Sequence, residues 1–220
     1  MCEGRAAMSE AELKFTVDGM RYRVLGEPAQ EPALILLHGW GGDAEAMWVF
    51  QRTLPAFKHI LAPQAPYAVP EGGYEWIGER SSRRAASAAF RPGVEILRRF
   101  LQRTLPADRL TAGRFLLLGF SQGAALAFAA VQLGLLRPAG IAALAGFLPP
   151  GDDAPLAKIP VFWAHGLQDD IIPFEQAANG AERLRAASAG LTFCESRTAH
   201  KIDRRCLGEL KTWLENTSRR

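Results

Sequence analysis

The stretch Gly119-Phe120-Ser121-Gln122-Gly123 constrains this chain most, because it joins strand formers to helix formers with almost nothing between them. Phe115-Leu116-Leu117-Leu118 is a short, continuous apolar run of the kind expected for a strand buried on both faces, while Ala124 to Val131 is rich in alanine, the best helix former. A strand that passes straight into a helix strains the backbone at the corner residue, and flanking glycines let the turn close without a side-chain clash. Ser121 occupies that corner, where its hydroxyl would stand at the carboxyl edge of a sheet with a helix N-terminus behind it. The same five-residue pattern also occurs as a plain turn, so a nucleophile reading requires a base, an orienting acid and oxyanion donors in a compatible order.

Strand-like and helix-like segments alternate along the chain. An opening hairpin is expected from Leu13–Val17 through Asp18-Gly19 to Met20–Leu25, with a tight type I′ turn. Strands follow at Ala33–Leu37, His59–Ala62, Gly140–Leu144, Val161–Ala164 and Leu191–Cys194. Helices are expected near Ala44–Leu54, over Ala85–Leu105 with a break at Pro92-Gly93, over Phe174–Ala187, and at the end, where Ile202, Cys206, Leu210, Trp213 and Leu214 recur at three- and four-residue steps. Such alternation predicts an α/β fold, a mostly parallel central sheet with helices on both faces. With 220 residues and no composition shift, residues 1–220 read as a single domain, residues 1–12 being a flexible tail.

In an open α/β sheet the functional groups gather on loops beyond the carboxyl ends of the strands. Three such loops carry partners for Ser121. His38-Gly39-Trp40-Gly41-Gly42 follows the strand Ala33–Leu37 and can aim a backbone N–H, that of Trp40, at the point addressed by the N–H of Gln122. His38 is expected to pin this loop rather than act as a base. The segment His165–Pro173 offers two adjacent carboxylates, Asp169 and Asp170, of which one can accept the Nδ1–H of a histidine and the other cap the helix after Pro173. His200 alone among four histidines lies on a late, loop-like segment, which makes it the candidate base. Serine, then acid, then histidine is the chain order of the α/β-hydrolase arrangement.

Together Leu37-His38-Gly39-Trp40-Gly41, Gly119-Phe120-Ser121-Gln122-Gly123-Ala124, Gly146-Phe147-Leu148-Pro149, His165-Gly166-x-x-Asp169-x-x-Ile172-Pro173 and His200 resemble the small bacterial phospholipase/carboxylesterase family, which includes the acyl-protein thioesterases. The resemblance implies an α/β-hydrolase fold with no large cap domain, no cofactor or metal, Ser121 as nucleophile, Asp169 as the acid and His200 as the base. It departs at Ala124, where the thioesterases usually carry glycine, and at Ala145, where serine commonly precedes Gly146. The activity it implies is a serine carboxylesterase acting on short- to medium-chain esters, with lysophospholipase or acyl-protein thioesterase activity as the alternative. Dehalogenases and epoxide hydrolases place aspartate in the corner, and dienelactone-type hydrolases cysteine. An inactive binding protein on the same scaffold is the rival of another class.

The long connection from Pro63 to Ser82 carries Tyr67, Tyr74 and Trp76, which are expected to wall the acyl pocket together with Phe147. A small-molecule ester is therefore the expected partner, and a homodimer is compatible with the sequence. A net charge of +3 with arginine pairs interleaved among acids does not call for nucleic acid. Met1–Lys14 has neither the apolar core of a signal peptide nor that of an anchor, and no run approaches the ~18 residues of a membrane span. Three cysteines, Cys2, Cys194 and Cys206, form an odd set without metal-type spacing, so free thiols and a cytoplasmic location are expected.

Overall fold

The computed structural model describes residues 12–16, 19–30, 32–50, 54, 57–78 and 85–219. The expected N-terminal tail lies almost wholly outside these residues. Ten strands are described, β1 (Glu12–Phe15), β2 (Arg21–Leu25), β3 (Ala33–Leu37), β4 (His59–Pro63), β5 (Tyr67–Ala68), β6 (Tyr74–Glu75), β7 (Phe115–Phe120), β8 (Gly140–Leu144), β9 (Pro160–Gly166) and β10 (Gly190–Ser196). Five α-helices accompany them, α1 (Arg91–Thr104), α2 (Ala107–Ala112), α3 (Gln122–Gln132), α4 (Phe174–Ala186) and α5 (Arg204–Thr217). Eight strands form one sheet in the order β1-β2-β4-β3-β7-β8-β9-β10, in which β4, β3, β7, β8, β9 and β10 run parallel and β1 and β2 form the antiparallel edge.

The central strands are apolar at every position because both faces are covered. Ile35, Leu117, Ile141 and Trp163 point into one cluster with residues of α1, α3 and α4; Leu36, Leu118, Ala142 and Phe162 point into the other, beneath α5 and the 3-10 turn Ala46–Phe50. Helix α3 is buried along its whole length, which explains its near-uniform apolar sequence. Four-residue steps carry α5, with Cys206, Leu210 and Leu214 buried. This sheet order, its parallel pairing and the two helical layers are those of the α/β-hydrolase fold.

Several local expectations are corrected. The hairpin β1–β2 is present, but Phe15 pairs with Arg21, so the link is longer than a two-residue turn; its Val17 and Asp18 lie outside the described residues. The helix expected over Ala44–Leu54 is one 3-10 turn, Ala46–Phe50. Asp43 starts it by accepting the N–H groups of Glu45 and Ala46, but Trp48, Val49 and Phe50 are weak helix formers, and 51–53 lie outside the described residues. Helix α1 begins only at Arg91, with Pro92 in its first turn, where a missing N–H costs nothing; a separate 3-10 turn, Ser87–Phe90, precedes it. Helix α2 was not anticipated; Gly113, at φ 69°, ends it in the left-handed region. The connection after Pro63 is not structureless, since β5 and β6 pair within it, although 79–82 lie outside the described residues.

The cysteine expectation is also overturned, because Cys194 of β10 and Cys206 in the first turn of α5 form a disulfide. Parity speaks for the set of cysteines as a whole, whereas bonding is decided pair by pair. Here the fold brings two Cα atoms to 5.8 Å, and the cytoplasmic placement loses the support it drew from free thiols.

Candidate active site

Ser121 sits between β7 and α3 with φ 53° and ψ −116°, a backbone state that a residue with a Cβ rarely adopts. Its neighbours explain how the corner closes. A Cβ on Gly119 would overlap the backbone of Gly123 and Ala124, and one on Gly123 would overlap the carbonyl oxygens of Leu37 and His38. Both glycines of the motif are thus required by contact. The corner is held by Ser121 N–H donating to Leu144 O at 2.9 Å, while Ser121 O accepts from Ala124 and Ala125 at the start of α3. Ala145 is strained as well, at φ 47°, next to Gly146, where any Cβ would overlap that of Ala124. The two positions that depart from the family pattern therefore touch one packing site behind the serine.

Asp169 and His200 come together from the ends of β9 and β10. Asp169 Oδ2 accepts from His200 Nδ1 at 2.7 Å, and Asp169 Oδ1 accepts the N–H groups of Ile171 at 2.9 Å and Ile172 at 2.8 Å. The side chain of Asp169 is fully buried, so its carboxylate is fixed at both oxygens in a water-poor setting. Asp170 is exposed and makes none of these contacts. Nor does it cap α4, whose N-cap is Pro173 without a side-chain hydrogen bond; Pro173 already presets the helical start, so the expected capping role falls away. The His200 ring packs edge-on against Phe120, with centroids 5.0 Å apart. Ser121 Oγ and His200 Nε2 are not hydrogen-bonded to each other here, yet both residues line one cavity of about 540 Å³.

The glycine-rich turn after β3 lies directly on the serine, since a Cβ on Gly39 would stand 3.2 Å from Ser121 Cβ. Among the described residues Trp40 N–H has no acceptor, whereas Gly41 N–H donates to Tyr74 O at 3.0 Å and Gly42 N–H to Gly39 O at 3.1 Å. His38 pins the turn, as expected. Its Nε2 accepts Ala65 N–H at 2.9 Å, so the proton sits on Nδ1, which donates to Gly39 O at 2.7 Å. Burial lowers the pKa of His38, with Gly39 O opposing, which keeps this neutral tautomer. His165 is fully buried and likewise lowered by burial; its Nε2 donates to Ile172 O at 2.9 Å and lies 3.5 Å from Asp169 Oδ2.

The expected aromatic wall is elsewhere. Trp76 is fully buried and faces away from the cavity: its indole N–H donates to His38 O, and its backbone N–H to Gln122 Oε1, each at 2.9 Å. Tyr74 borders a different cavity beside α1, Tyr67 packs against Gly78, and Phe147 is buried against Phe90. The cavity at Ser121 is lined instead by Trp40, Met47, Val49, Phe50, Phe120 and Ile171. Met47, Val49 and Phe50 come from the 3-10 turn, Trp40 and Ile171 from loops and Phe120 from the end of β7, and sequence reasoning, which named Trp40 only for its backbone N–H, placed none of these side chains in the pocket. The available signal was apolar side chains left unburied: Trp40 is 51%, Val49 71% and Ile171 38% exposed.

Comparison with known proteins agrees with this geometry. The profile of the Phospholipase/Carboxylesterase family matches residues 24–218. A probable carboxylesterase of Oryza sativa subsp. japonica is 33% identical over 117 residues, covering 50% of this chain but only 44% of that protein, less than half its length. An acyl-protein thioesterase 1 of Debaryomyces hansenii is 27% identical over 183 residues, covering 72% of this chain and 78% of that one. Among solved structures, the Bacillus cereus carboxylesterase superposes with a TM-score of 0.78 at 19% identity, covering 90% of this chain and 94% of the other, a likeness of fold. No helix among the described residues is long and apolar enough to cross a membrane.

Proposed function

Because the chain belongs to the Phospholipase/Carboxylesterase family, we propose that it is a serine carboxylesterase that hydrolyses short- to medium-chain esters through Ser121, His200 and Asp169. The observation that carries this reading is Ser121 in its strained corner, sharing one apolar cavity with a histidine whose far nitrogen is tied to a buried aspartate.

The reaction has two halves. In the first, His200 Nε2 takes the proton of Ser121 Oγ as the oxygen attacks the ester carbonyl. The carbonyl oxygen becomes an oxyanion held by the N–H groups of Trp40 and Gln122, at the positive end of α3. Asp169 keeps the proton of His200 on Nδ1 and stabilises the imidazolium. Collapse of the tetrahedral intermediate breaks the carbon–oxygen bond to the alcohol, which leaves with the proton from His200. In the second half, water gives its proton to His200 as it attacks the acyl carbon; the bond from that carbon to Ser121 Oγ then breaks, Oγ takes back the proton from His200, and the acid is released.

The acyl group would lie in the cavity bounded by Met47, Val49, Phe50 and Phe120, a volume in the ordinary range for small-molecule sites. A second reading, hydrolysis of longer acyl esters or thioesters, is supported by the exposed apolar rim of Trp40, Val49 and Ile171, which extends the cavity outward, and by the thioesterase relative. Turnover of p-nitrophenyl butyrate and labelling by a fluorophosphonate test the chemistry. Ser121→Ala is expected to abolish labelling, and Ser121→Ala or His200→Ala to lower turnover by roughly four to six orders of magnitude. Wild-type protein that neither turns over ester nor takes the label would make the chain an inactive binding protein.

A further inference from the structure

We infer that Trp76 is a positioning residue for the oxyanion hole, the element that ties its two donors, one after β3 and one after β7, into one rigid unit. This rests on the serine-hydrolase reading above. The two N–H groups assigned to the oxyanion belong to different loops. Trp40 lies on the turn after β3, and Gln122 is the first residue of α3 after β7. Two donors that must meet a single oxygen within a few tenths of an ångström need a common support, and misplacement of about 1 Å can cost ~10²-fold in rate.

Trp76 touches both. Its indole Nε1–H donates to His38 O, two residues before Trp40, and its backbone N–H donates to the Oε1 of Gln122 itself, both at 2.9 Å. The ring also packs against His38, with centroids 5.3 Å apart. Trp76 is 0% exposed and Gln122 only 4%, so these bonds do not compete with water. Burial raises the pKa of the neighbouring Glu75 carboxyl, and a side-chain hydrogen bond with Gln122 opposes that shift, so the Gln122 amide is held from both ends.

The hairpin carrying Trp76 is bound to the same turn by its backbone. Tyr74 N–H donates to Gly42 O at 2.8 Å, and Tyr74 O accepts Gly41 N–H at 3.0 Å. A Cβ on Gly73 would overlap Gly41 O, so the two turns are in direct contact. Ala65, just before β5, donates its N–H to His38 Nε2. The long connection after β4 therefore closes around the oxyanion turn from behind, and no face of Trp76 is offered to the acyl group.

Trp76→Phe removes the indole N–H and keeps an aromatic ring. The expected result with full-length protein is a fall in kcat for p-nitrophenyl butyrate of ~10–100-fold, with KM within about twofold of wild type. The inhibition constant of phenylboronic acid, whose tetrahedral adduct on Ser121 places an oxygen in the hole, should rise by a similar factor. Gln122→Met, which keeps the backbone N–H but removes the amide contacts, should behave alike and decides the matter on the same readouts where Trp76→Phe does not fold. A variant that melts lower yet keeps kcat and boronate affinity at 15 °C has lost only packing, and overturns the inference. A raised KM at unchanged kcat returns Trp76 to the substrate wall and also overturns it. Full turnover in Ser121→Ala overturns the hydrolase reading itself, whereas loss there with unchanged Trp76 and Gln122 variants overturns the brace alone.

Discussion

The disulfide between Cys194 and Cys206 encloses His200, and its loss should be felt in both stability and activity. The two cysteines are 12 residues apart in sequence. Closing a loop of that length removes unfolded-state entropy equivalent to about 3 kcal/mol on the chain-entropy relation. For a domain of this size, 2–4 °C of melting temperature per kcal/mol gives a shift of ~6–12 °C. Both cysteines are buried, so Cys194→Ala/Cys206→Ala loses packing as well and should reach the upper end of that range. The cross-link joins β10 to α5, and the chain between carries His200 out to Asp169; on warming, the double variant should lose esterase activity before its global transition, as this segment opens locally. Thermal unfolding followed by circular dichroism, beside activity measured over the same temperatures, tests both statements. A thiol titration of denatured, unreduced protein should find one thiol among the three cysteines in the sequence and three after reduction. Three thiols before reduction, or a double variant melting within about 2 °C of wild type, would refute the reasoning.

Asp169→Asn should lower turnover by about 10⁴ by favouring the wrong tautomer of His200, whereas the exposed Asp170→Asn should change it little; a larger loss at Asp170 would reverse the assignment. His59 is 1% exposed, and burial, with a smaller push from Arg109, lowers its pKa from 6.5 to about 4. A base neutral in the fold but charged when unfolded stabilises the fold fully above pH 6.5 and loses that contribution as pH falls toward 4, by at most ~3 kcal/mol, so urea unfolding at pH 7 and pH 4.5 should show a smaller difference in His59→Phe than in wild type. His38 and His165 are lowered in the same direction and should leave part of the acid sensitivity in place. Across p-nitrophenyl esters from acetate to palmitate, kcat/KM should peak at short to medium chains, each fitted methylene contributing at most ~0.8 kcal/mol, and Phe50→Ala should move the peak to longer acyl groups; a profile still climbing at the longest soluble chain would favour the thioesterase-like reading.

The parallel sheet was legible because its strands are buried on both faces and must be continuously apolar, as in Leu116–Leu118, and because Ser121 lies where such a run meets an alanine-rich helix. His200 and a carboxylate partner after β9 were legible through topology, since functional groups collect beyond the strand ends, but topology left Asp169 and Asp170 open and only the family resemblance singled out Asp169. The segments that misled were those governed by partners distant in sequence. Ala44–Leu54 suggests a helix, but Trp48–Phe50 are weak helix formers, and Arg23 of β2 holds Trp48 by a cation–π contact at 4.9 Å and pairs with Glu45, so a contact distant in sequence fixes the single turn that forms. Cys194 and Cys206 became a pair only when β10 and α5 met.

The aromatic residues show why a site can be located from sequence more readily than a pocket can be shaped. Position along the chain suggested that Tyr67, Tyr74 and Trp76 would wall the cavity at Ser121, yet an aromatic ring on such a connection can support a site from behind instead. Which side is decided by the polar end of the ring: the Trp76 indole finds its acceptor on the buried carbonyl of His38, and burying the ring with that bond made costs less than exposing it. The cavity is left to side chains with no polar tip to satisfy, Met47, Val49, Phe50, Phe120 and Ile171, together with Trp40, half-exposed at the rim. On the proposed reading, substrate selection falls to the segments after β3 and after Asp169 that line the cavity, while the long connection after β4 supports the oxyanion turn.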